Sequence, residues 1–248
     1  MLVGATGHAG SKLASYLLKD TDATVVLAGR STAKLDHLQS GLRQQDLAHR
    51  LEVLELDATN LDSAALDDFD LLVNATAEGP QNAPLIQACL DHRADWIDMQ
   101  MTKELLNPPP ILRESIERTG RCFVIQAGFH PGIIAPLVRY AGQQMDVMDG
   151  AIVGSVIRDR TGLPYTPGFS ELVASFRDYK GEMYKDGQWQ KLKYAAYPKI
   201  GFEYGLGELL TYPVEMAELR RLTEVMPDLR NTGFLVAGFN WFADYLIT

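Results

Sequence analysis

The chain has few of the residues that metal sites and disulfide frameworks need. Its 248 residues include two cysteines and five histidines. Cys89 and Cys122 form no CxxC pair and lie in apolar segments, so we expect buried free thiols rather than a disulfide. The histidines are scattered, without an HExxH motif or a Cys/His pair. The sequence therefore predicts no metal site.

Long apolar runs and basic clusters are also missing. No apolar stretch reaches the roughly 18 residues that suggest a membrane span, and no basic segment precedes an apolar one at the start. The net charge of −9, without clustered Lys or Arg, opposes a nucleic-acid partner. We expect a cytoplasmic protein with a small-molecule substrate and no nucleic-acid or membrane partner. Whether the protein forms a homodimer is left open by the sequence.

Both ends of the chain are abrupt. Only Met1, Leu2 and Val3 precede the first glycine, although strands average roughly 5–6 residues. The last segment, "GFLVAGFNWFADYLIT", predicts a strand followed by a packed helix and stops inside an apolar run. We therefore expect native residues to be missing at either end.

Residues 1–145 alternate short apolar strands with amphipathic helices. The strand-like runs are "LV", "TVVLA", "LEVLEL", "DLLVNA", "DWID" and "CFVIQAG". The segments between them, including "NLDSAAL", have helical patterns. Continuous apolar strands separated by helices indicate a parallel sheet covered on both faces. The sequence predicts an α/β domain with a doubly wound parallel sheet of the Rossmann type.

The regular alternation of strands and helices ends after residue 145, and residues 146–248 predict a second, smaller α+β domain. "GAIVGSVIRD" reads as a longer strand, "FSELVASFRDY" as a short helix, and "GEMYKDGQWQKLKY" as a hairpin that turns at Asp186 and Gly187.

The loop "GATGHAG" separates the first strand from the first helix and predicts a dinucleotide site. Its glycines recur every three residues, which allows a sharp turn, a close approach of backbone N–H groups to a pyrophosphate, and close packing of the helix. The helix N-terminus adds a partial positive charge. A merely tight turn is the alternative. The loop residues that we expect to contact the cofactor are Gly4, Ala5, Thr6, Gly7, His8 and Gly10.

Arg30 stands at the end of the second strand, where an acidic residue would bind the ribose of NAD. A guanidinium instead pairs with a 2′-phosphate, and Ser31 and Lys34 add a hydroxyl and a charge. The sequence therefore predicts NADP rather than NAD. An exposed arginine without a ligand is the alternative.

Polar residues follow the third and fourth strands at the edge where ligands bind in open α/β sheets. Asp57 and Ala58 end the third strand, and Asn74, Ala75 and Thr76 end the fourth. We expect both groups to line the adenine and ribose side of the cofactor. Asp57 and Thr76 are equally suited to be helix N-caps.

The segments "GATGHAG", "VVLAGRSTAKL", "LDATNLDSAAL", "LLVNATAEGP" and "AGFHPGI" occur in this order, and with them the chain resembles the saccharopine dehydrogenase-like family. The resemblance covers residues 1–135 best and continues more weakly through "TGLPYTPGFS" and "YKDGQW". It implies NADP(H) binding by Gly4, Gly7, Gly10 and Arg30, hydride transfer at a carbon–nitrogen bond, and a substrate and dimerisation domain. Because the family includes lipid-directed reductases and members without known activity, the substrate does not carry over.

Two alternatives compete with this interpretation. Short-chain dehydrogenases have a similar glycine loop, but they need a Tyr with a Lys four residues later. No Tyr here has that neighbour; Tyr16 and Lys19 are three residues apart. A regulatory or scaffold protein that binds NADP without turnover is the other alternative.

Candidates for chemistry lie near the ends of the later strands. His130, in "AGFHPGI", can exchange a proton near neutral pH, although a hydrogen-bonding role in the loop is equally compatible. Asp98, which ends the fifth strand, either orients the cofactor or caps a turn. We expect Gly128, Phe129 and His130 to form a wall of the nicotinamide pocket. The expected substrate-binding residues are Arg158, Arg160 and Ser170.

Overall fold

The computed structural model describes residues 1–44, 49–77, 79–100, 104–157 and 180–238. The chain divides into two compact units, Met1–Gly128 and Phe129–Thr248. This boundary lies before residue 145, where the sequence predicted that the alternation of strands and helices ends. The predicted helix "FSELVASFRDY" and the end of the last apolar segment lie outside the described residues.

The first unit contains a six-stranded parallel sheet, which confirms the predicted doubly wound α/β fold. The strand order is β3-β2-β1-β4-β5-β6. Successive strands are added in one direction from β1 to β3 and in the opposite direction from β4 to β6, so the boundary between β1 and β4 is the switch point at which such sheets bind ligands. The strands are β1 Leu2–Val3, β2 Val25–Gly29, β3 Leu51–Glu55, β4 Leu71–Asn74, β5 Asp95–Asp98 and β6 Phe123–Val124.

Helices cover both faces of this sheet. One core cluster contains Leu18, Leu27 and Leu35, and another contains Leu85 and Trp96. The first helix buries every fourth residue from Gly10 to Leu18, in keeping with the amphipathic pattern that the sequence predicted. The helices are α1 His8–Asp20, α2 Thr32–Gln44, α3 Asn82–Asp91 and α4 Pro110–Thr119.

The prediction of a helix at "NLDSAAL" is wrong. This region instead forms two 3-10 turns, Ala58–Asn60 and Ser63–Ala65. Asp57 accepts a hydrogen bond from the Thr59 N–H, and Asp62 accepts one from the Ala64 N–H. These local side-chain bonds compete with a continuous helix, because they offer the backbone a shorter turn.

The two cysteines differ in their surroundings. Cys89 is buried among apolar residues, and burial raises the pKa of its thiol to about 12. Cys122 is exposed, so the expectation that both thiols are buried is wrong for this residue. It directly precedes the short strand β6, whose second residue is also exposed, so a position beside this edge strand is not enclosed.

The second unit is built on a five-stranded mixed sheet. Its strand β7 runs parallel to β13, and its other pairings are antiparallel. A separate antiparallel pair is formed by β10 and β11. The strands are β7 Gly150–Val156, β8 Glu182–Lys185, β9 Gln188–Lys191, β10 Lys199–Phe202, β11 Gly207–Leu210, β12 Tyr212–Val214 and β13 Asn231–Ala237.

Among the described residues of this unit, helices α5 Ile134–Gly142 and α6 Ala217–Val225 contribute to its core. Ile134 and Leu219 from these helices belong to one buried cluster with Phe234 of β13. The predicted hairpin between β8 and β9 is confirmed, since it turns at Asp186 and Gly187 with φ of 53° and 82°. Positive φ at both positions is what a two-residue hairpin turn requires.

Within the described ranges, no helix is long and apolar enough to cross a membrane. The same residues contain no group of three His, Cys, Asp or Glu side chains that is able to hold a metal ion.

Candidate functional site

Two glycines of the loop after β1 are required by close packing within the protein. Gly4 has a φ of +78°, and a Cβ atom there would lie 2.9 Å from the backbone of Ala75. A Cβ atom at Gly10 would lie 2.3 Å from the carbonyl oxygen of Gly4. These contacts leave no room for a side chain, so Gly4 and Gly10 fix the path of the loop and the start of α1.

Gly7 differs from both, because nothing in its backbone conformation requires glycine. Its φ is −73° and its ψ is 168°, which any residue adopts. A Cβ atom there would meet only the carbonyl oxygen of Gly4, at 3.2 Å. The side of Gly7 that faces away from the protein is therefore open, as expected where a ligand approaches the backbone.

The start of α1 is suited to an anion. Gly7 is its N-cap, and no side chain caps the helix. The first N–H groups of an α-helix have no intrahelical partner, and the helix dipole adds a partial positive charge there. Hydrogen bonds from Gly4 N and Ala5 N to the carbonyl oxygen of Ala28, at 3.1 and 3.3 Å, hold the loop beside β2. This cradle fits a pyrophosphate.

The remaining loop residues lie around this cradle. Ala5 is fully buried, and it therefore packs the loop against the core. Thr6 is half-buried with its hydroxyl near Gly29, and His8 is exposed in the first turn of α1. Of these three side chains, those of Thr6 and His8 are accessible to a ligand.

The predicted phosphate-binding group lies at the end of β2. Arg30 and Lys34 are exposed, and neither forms an ion pair with a carboxylate in the described part of the chain. Ser31 precedes α2, and its Oγ accepts a hydrogen bond from the Lys34 N–H at 3.5 Å. Thr32 donates to Glu55, which ties the start of α2 to the end of β3. The two cations are therefore free to meet a phosphate.

Asp57 follows β3 and acts as the N-cap of a 3-10 turn, so that alternative is confirmed. Its Oδ1 accepts from the Thr59 N–H at 3.0 Å and from the Thr59 hydroxyl at 2.8 Å. These hydrogen bonds, with a smaller contribution from the charge of Arg30, lower the pKa of Asp57. The carboxylate stays exposed, whereas Ala58 is buried.

A group of amide side chains, two buried and one partly buried, lies at the ends of β4 and β5 and the start of α3. It consists of Asn74, Asn82 and Gln100, which we call the amide cluster. Asn74 Nδ2 and Gln100 Nε2 each donate to Asn82 Oδ1 at 3.1 Å, and Asn82 Nδ2 donates to Gln100 Oε1 at 2.7 Å. The sequence analysis missed Asn82 and Gln100. Gln100 closely follows the end of β5, a signal that could have found it, whereas Asn82 is 8 residues beyond the end of β4 and carried no such signal.

Thr76 is not a helix N-cap, so that alternative is wrong. The helix α3 begins six residues later, with Gln81 as its N-cap. Thr76 instead donates its hydroxyl to Asn74 Oδ1 at 2.7 Å and accepts from Gln81 Nε2 at 3.0 Å. It thus extends the amide cluster into the loop that contains Ala75.

The strand order separates two groups that the sequence placed on one side of the cofactor. Arg30 and Asp57 follow β2 and β3, on one side of β1. Asn74 and the loop after it follow β4, on the other side of β1. Only the first pair therefore shares a side with the predicted 2′-phosphate site.

Asp98 is fully buried, and hydrogen-bond donors occupy both oxygens of its carboxylate. Oδ2 accepts from Trp96 Nε1 at 2.8 Å, while Oδ1 accepts from the N–H groups of Gln100 at 3.1 Å and Gln126 at 3.0 Å. Asp98 therefore caps the backbone turn after β5 and also holds the backbone after β6; that it orients the cofactor stays a prediction.

His130 belongs to the second unit and packs against aromatic rings. Its ring centroid lies 5.0 Å from that of Phe129 and 5.5 Å from that of Phe234. Burial lowers the pKa of His130, so the imidazole is neutral near pH 7. Gly128 is the last residue of the first unit, and Phe129 is exposed. That these residues line a nicotinamide pocket stays a prediction.

The loop that contains His130 is held by a residue that the sequence analysis missed. Glu218 of α6 accepts hydrogen bonds from the N–H groups of Gly132, at 2.8 Å, and Ala135, at 2.9 Å. A carboxylate at this place caps the N-terminus of α5. The predicted substrate residues Arg158, Arg160 and Ser170 lie outside the described residues.

Residues 1–120 match the family model of the saccharopine dehydrogenase NADP binding domain. Among curated proteins, the chain is similar to carboxynorspermidine synthase from Vibrio cholerae, with 21% identity over 234 residues and 85% of this chain. It is also similar to the Vibrio alginolyticus protein of that name, with 22% identity over 235 residues and 85% of this chain. The chain spans 56% of the length of each of these relatives.

Similar solved structures include a putative oxidoreductase from Klebsiella pneumoniae, with 11% identity and a TM-score of 0.47. That match covers 97% of this chain and 62% of the other. Another is Pen from Bacillus thuringiensis, with 15% identity, a TM-score of 0.38, and coverage of 62% of this chain and 56% of that one. At these TM-scores neither structure supports an inference about function.

Proposed function

We propose that the chain acts as an NADP(H)-dependent oxidoreductase, because residues 1–120 match the model of the saccharopine dehydrogenase NADP binding domain. The hydride transfer takes place at a carbon–nitrogen bond of an amino-acid-like substrate. The observation that carries the proposal is the uncapped start of α1 beside the open face of Gly7, with Arg30 after the neighbouring strand and Lys34 in α2, both exposed and without an ion pair to a carboxylate among the described residues.

The residues of this site suit the two phosphate groups of NADP differently. The backbone N–H groups at the start of α1 bind the pyrophosphate, since a side chain at Gly7 is absent and the helix dipole favours an anion. Arg30 and Lys34 bind the 2′-phosphate through charge and hydrogen bonds. No acidic residue stands at position 30 to attract the free ribose hydroxyls of NAD.

NADPH supplies a hydride when it is bound at this site. The chain's own contribution is to bind and orient: the glycine loop fixes the phosphates, and Asp98 holds the backbone after β5 through Gln100. Burial lowers the pKa of His130, so its imidazole is neutral near pH 7 and is a poor proton donor there. The amine nitrogen takes its proton from solvent when the imine is reduced and loses it to solvent in the reverse reaction, and His130 shapes the loop.

The names of the curated relatives support the carbon–nitrogen assignment. Both are called carboxynorspermidine synthase, a name that denotes formation of a carboxylated amine. Their identity to this chain is low and the chain spans only 56% of their length, so the particular amine is left to experiment. A primary amine and a carbonyl compound form an imine, the class of substrate that a hydride reduces to a secondary amine.

The test is whether the protein consumes NADPH when an imine is present. Purified protein is mixed with NADPH, a set of primary amines and a set of oxo acids or aldehydes, and the loss of NADPH absorbance is followed. We expect consumption with at least one pair and slower consumption with NADH. Consumption that is independent of the amine, or that favours NADH, would contradict the proposal.

A second function is favoured by one observation. The carboxylate of Asp98, one of the two catalytic candidates, is already occupied by backbone and indole donors. A protein that binds NADP without turnover, as a regulator or scaffold, needs no further acid or base. NADP binding with NADPH left intact across the whole set of imines would favour this function over the first.

A further inference from the structure

The amide cluster of Asn74, Asn82 and Gln100 joins three elements of the first unit. Asn74 ends β4, Asn82 begins α3, and Gln100 follows β5. Asn74 is fully buried and Gln100 is 2% exposed. Buried amides without partners are costly, yet each side chain here has partners within the cluster. The cluster is thus a fixed polar contact rather than a solvated surface.

Gln100 also holds the backbone of the loop after β4. Its Nε2 lies 3.1 Å from the carbonyl oxygen of Thr76 and 3.0 Å from that of Ala77, and its two hydrogens are shared between these oxygens and Asn82 Oδ1. Asn74 Oδ1 accepts from the Thr76 N–H at 3.1 Å. The loop is therefore held at residues 76 and 77 by side chains from outside it.

This loop touches the phosphate cradle. A Cβ atom added at Gly4 would lie 2.9 Å from both the carbonyl carbon and the carbonyl oxygen of Ala75. Because the two loops are packed against each other at Gly4 and Ala75, a displacement of residues 75–77 would also displace the glycine loop. The contact also places the β4 loop directly beside the site where the dinucleotide crosses the sheet.

The strand order assigns this loop to one half of the cofactor. Arg30 follows β2, whereas the loop follows β4, and β1 lies between these two strands. A dinucleotide binds across the switch point with one nucleotide on each side. If Arg30 binds the 2′-phosphate of the adenosine half, the β4 loop lies beside the nicotinamide half.

We propose that Gln100 is a positioning residue for the nicotinamide half of NADP. It acts through the carbonyl groups of Thr76 and Ala77, and it leaves the adenosine half to Arg30. This inference rests on the NADP site of the proposed function and adds a division of labour within that site. It does not depend on which substrate is reduced.

The two halves are separated by comparing NADP with adenosine 2′,5′-bisphosphate, which retains the adenosine half and its 2′-phosphate. Replacing Gln100 by methionine keeps the size of the side chain but removes its N–H donors. We expect Gln100→Met to weaken NADP binding about tenfold, a loss of about 1.4 kcal/mol, while binding of the bisphosphate changes less than about twofold. Both dissociation constants are measured by isothermal titration calorimetry with the full chain.

Gln87→Met is the matched control. Gln87 is exposed on α3 and donates to Asp91 at 2.7 Å, away from the amide cluster. We expect this variant to bind both ligands as the unmodified protein does. An equal loss of both ligands in Gln100→Met, or no loss of NADP, would overturn the proposal.

Gln100→Glu provides a second variant of the same size. It retains an oxygen that accepts from Asn82, but it places a carboxylate oxygen against the two backbone carbonyls. We expect the same selective loss of NADP. Failure of both variants to fold would also overturn the proposal, because the cluster would then be required for folding rather than for cofactor position. A chain that binds NADP selectively but never turns over would refute the oxidoreductase function and leave this inference intact.

Discussion

The open face of Gly7 leads to a sharp prediction about a single methyl group. Gly7 has a φ of −73°, which alanine adopts without strain. The added Cβ atom of Gly7→Ala would meet only the carbonyl oxygen of Gly4, at 3.2 Å, and would require that group to move by a few tenths of an ångström. We therefore expect the free energy of unfolding to change by less than about 1 kcal/mol.

In the proposed NADP site, the same methyl group would stand where the pyrophosphate approaches the backbone. Overpacking a close contact costs typically about 1–3 kcal/mol, and each 1.4 kcal/mol is about tenfold in affinity. Gly7→Ala should therefore weaken NADP binding by roughly tenfold to a hundredfold, and Gly7→Val by more. The assay is isothermal titration calorimetry with NADP, combined with chemical denaturation of the unliganded protein.

Two other glycines serve as controls. Gly41 lies in α2 with nothing near its Cβ position, so Gly41→Ala should stabilise the protein slightly and leave NADP binding unchanged. Gly10→Ala should instead impair folding, because its Cβ atom would lie 2.3 Å from a backbone oxygen. NADP binding by Gly7→Ala at the original affinity would refute the reasoning, since the loop would then be only a tight turn.

We expect the unmodified protein to bind NADP roughly tenfold to a hundredfold more tightly than NAD, the worth of one hydrogen bond to a charged group. Arg30→Asp should reverse this preference in thermal-shift assays with both nucleotides, and equal shifts with NAD and NADP in the unmodified protein would contradict the assignment. Glu218→Gln should lower the free energy of unfolding by about 1.5–3 kcal/mol, since one acceptor for the Gly132 and Ala135 N–H groups is lost; Glu224→Gln, exposed on the same helix, is the control in the same denaturation assay. His130→Asn should raise KM with little change in kcat, whereas a fall in kcat of roughly 10²–10⁴ would mean that His130 transfers a proton. Because burial lowers the pKa of His130 in the folded protein, the unfolded chain binds a proton first as the pH falls. The folded state therefore has its full stability above about pH 6.5, the pKa of an unperturbed histidine, and loses stability as the pH falls below it. The original protein should therefore lose more stability than His130→Asn between about pH 7.5 and about pH 5.5, and parallel stability profiles would exclude this titration.

The sheet and the phosphate cradle could be predicted because their signals are local in sequence. The glycines of residues 4–10 lie between a strand and a helix, and Arg30 follows the next strand directly. Each of these features depends on residues within one strand–loop–helix unit. Their spacing was therefore sufficient for the fold class and the cofactor.

The amide cluster could not be predicted in this way. Asn82 and Gln100 are 18 residues apart and meet only because β4 and β5 are neighbours and α3 begins beside them. Glu218 reaches Gly132 across 86 residues for a similar reason. Such contacts depend on the packing of elements, which residue spacing does not reveal.

The helix expected at "NLDSAAL" shows a different limit. Its apolar spacing is compatible with a helix, but Asp62 begins a short turn by accepting from a backbone N–H. Local hydrogen bonds of aspartate override a weak apolar period over so few residues.

The most direct test of the proposed reaction follows the transferred hydrogen itself. NADPH that carries deuterium at both positions of C4 of the nicotinamide ring is incubated with the protein and the imine-forming amines and carbonyl compounds, and the products are analysed by mass spectrometry. The account predicts a secondary amine with one deuterium on the carbon bonded to nitrogen. The absence of a deuterated amine with every imine tested would contradict it.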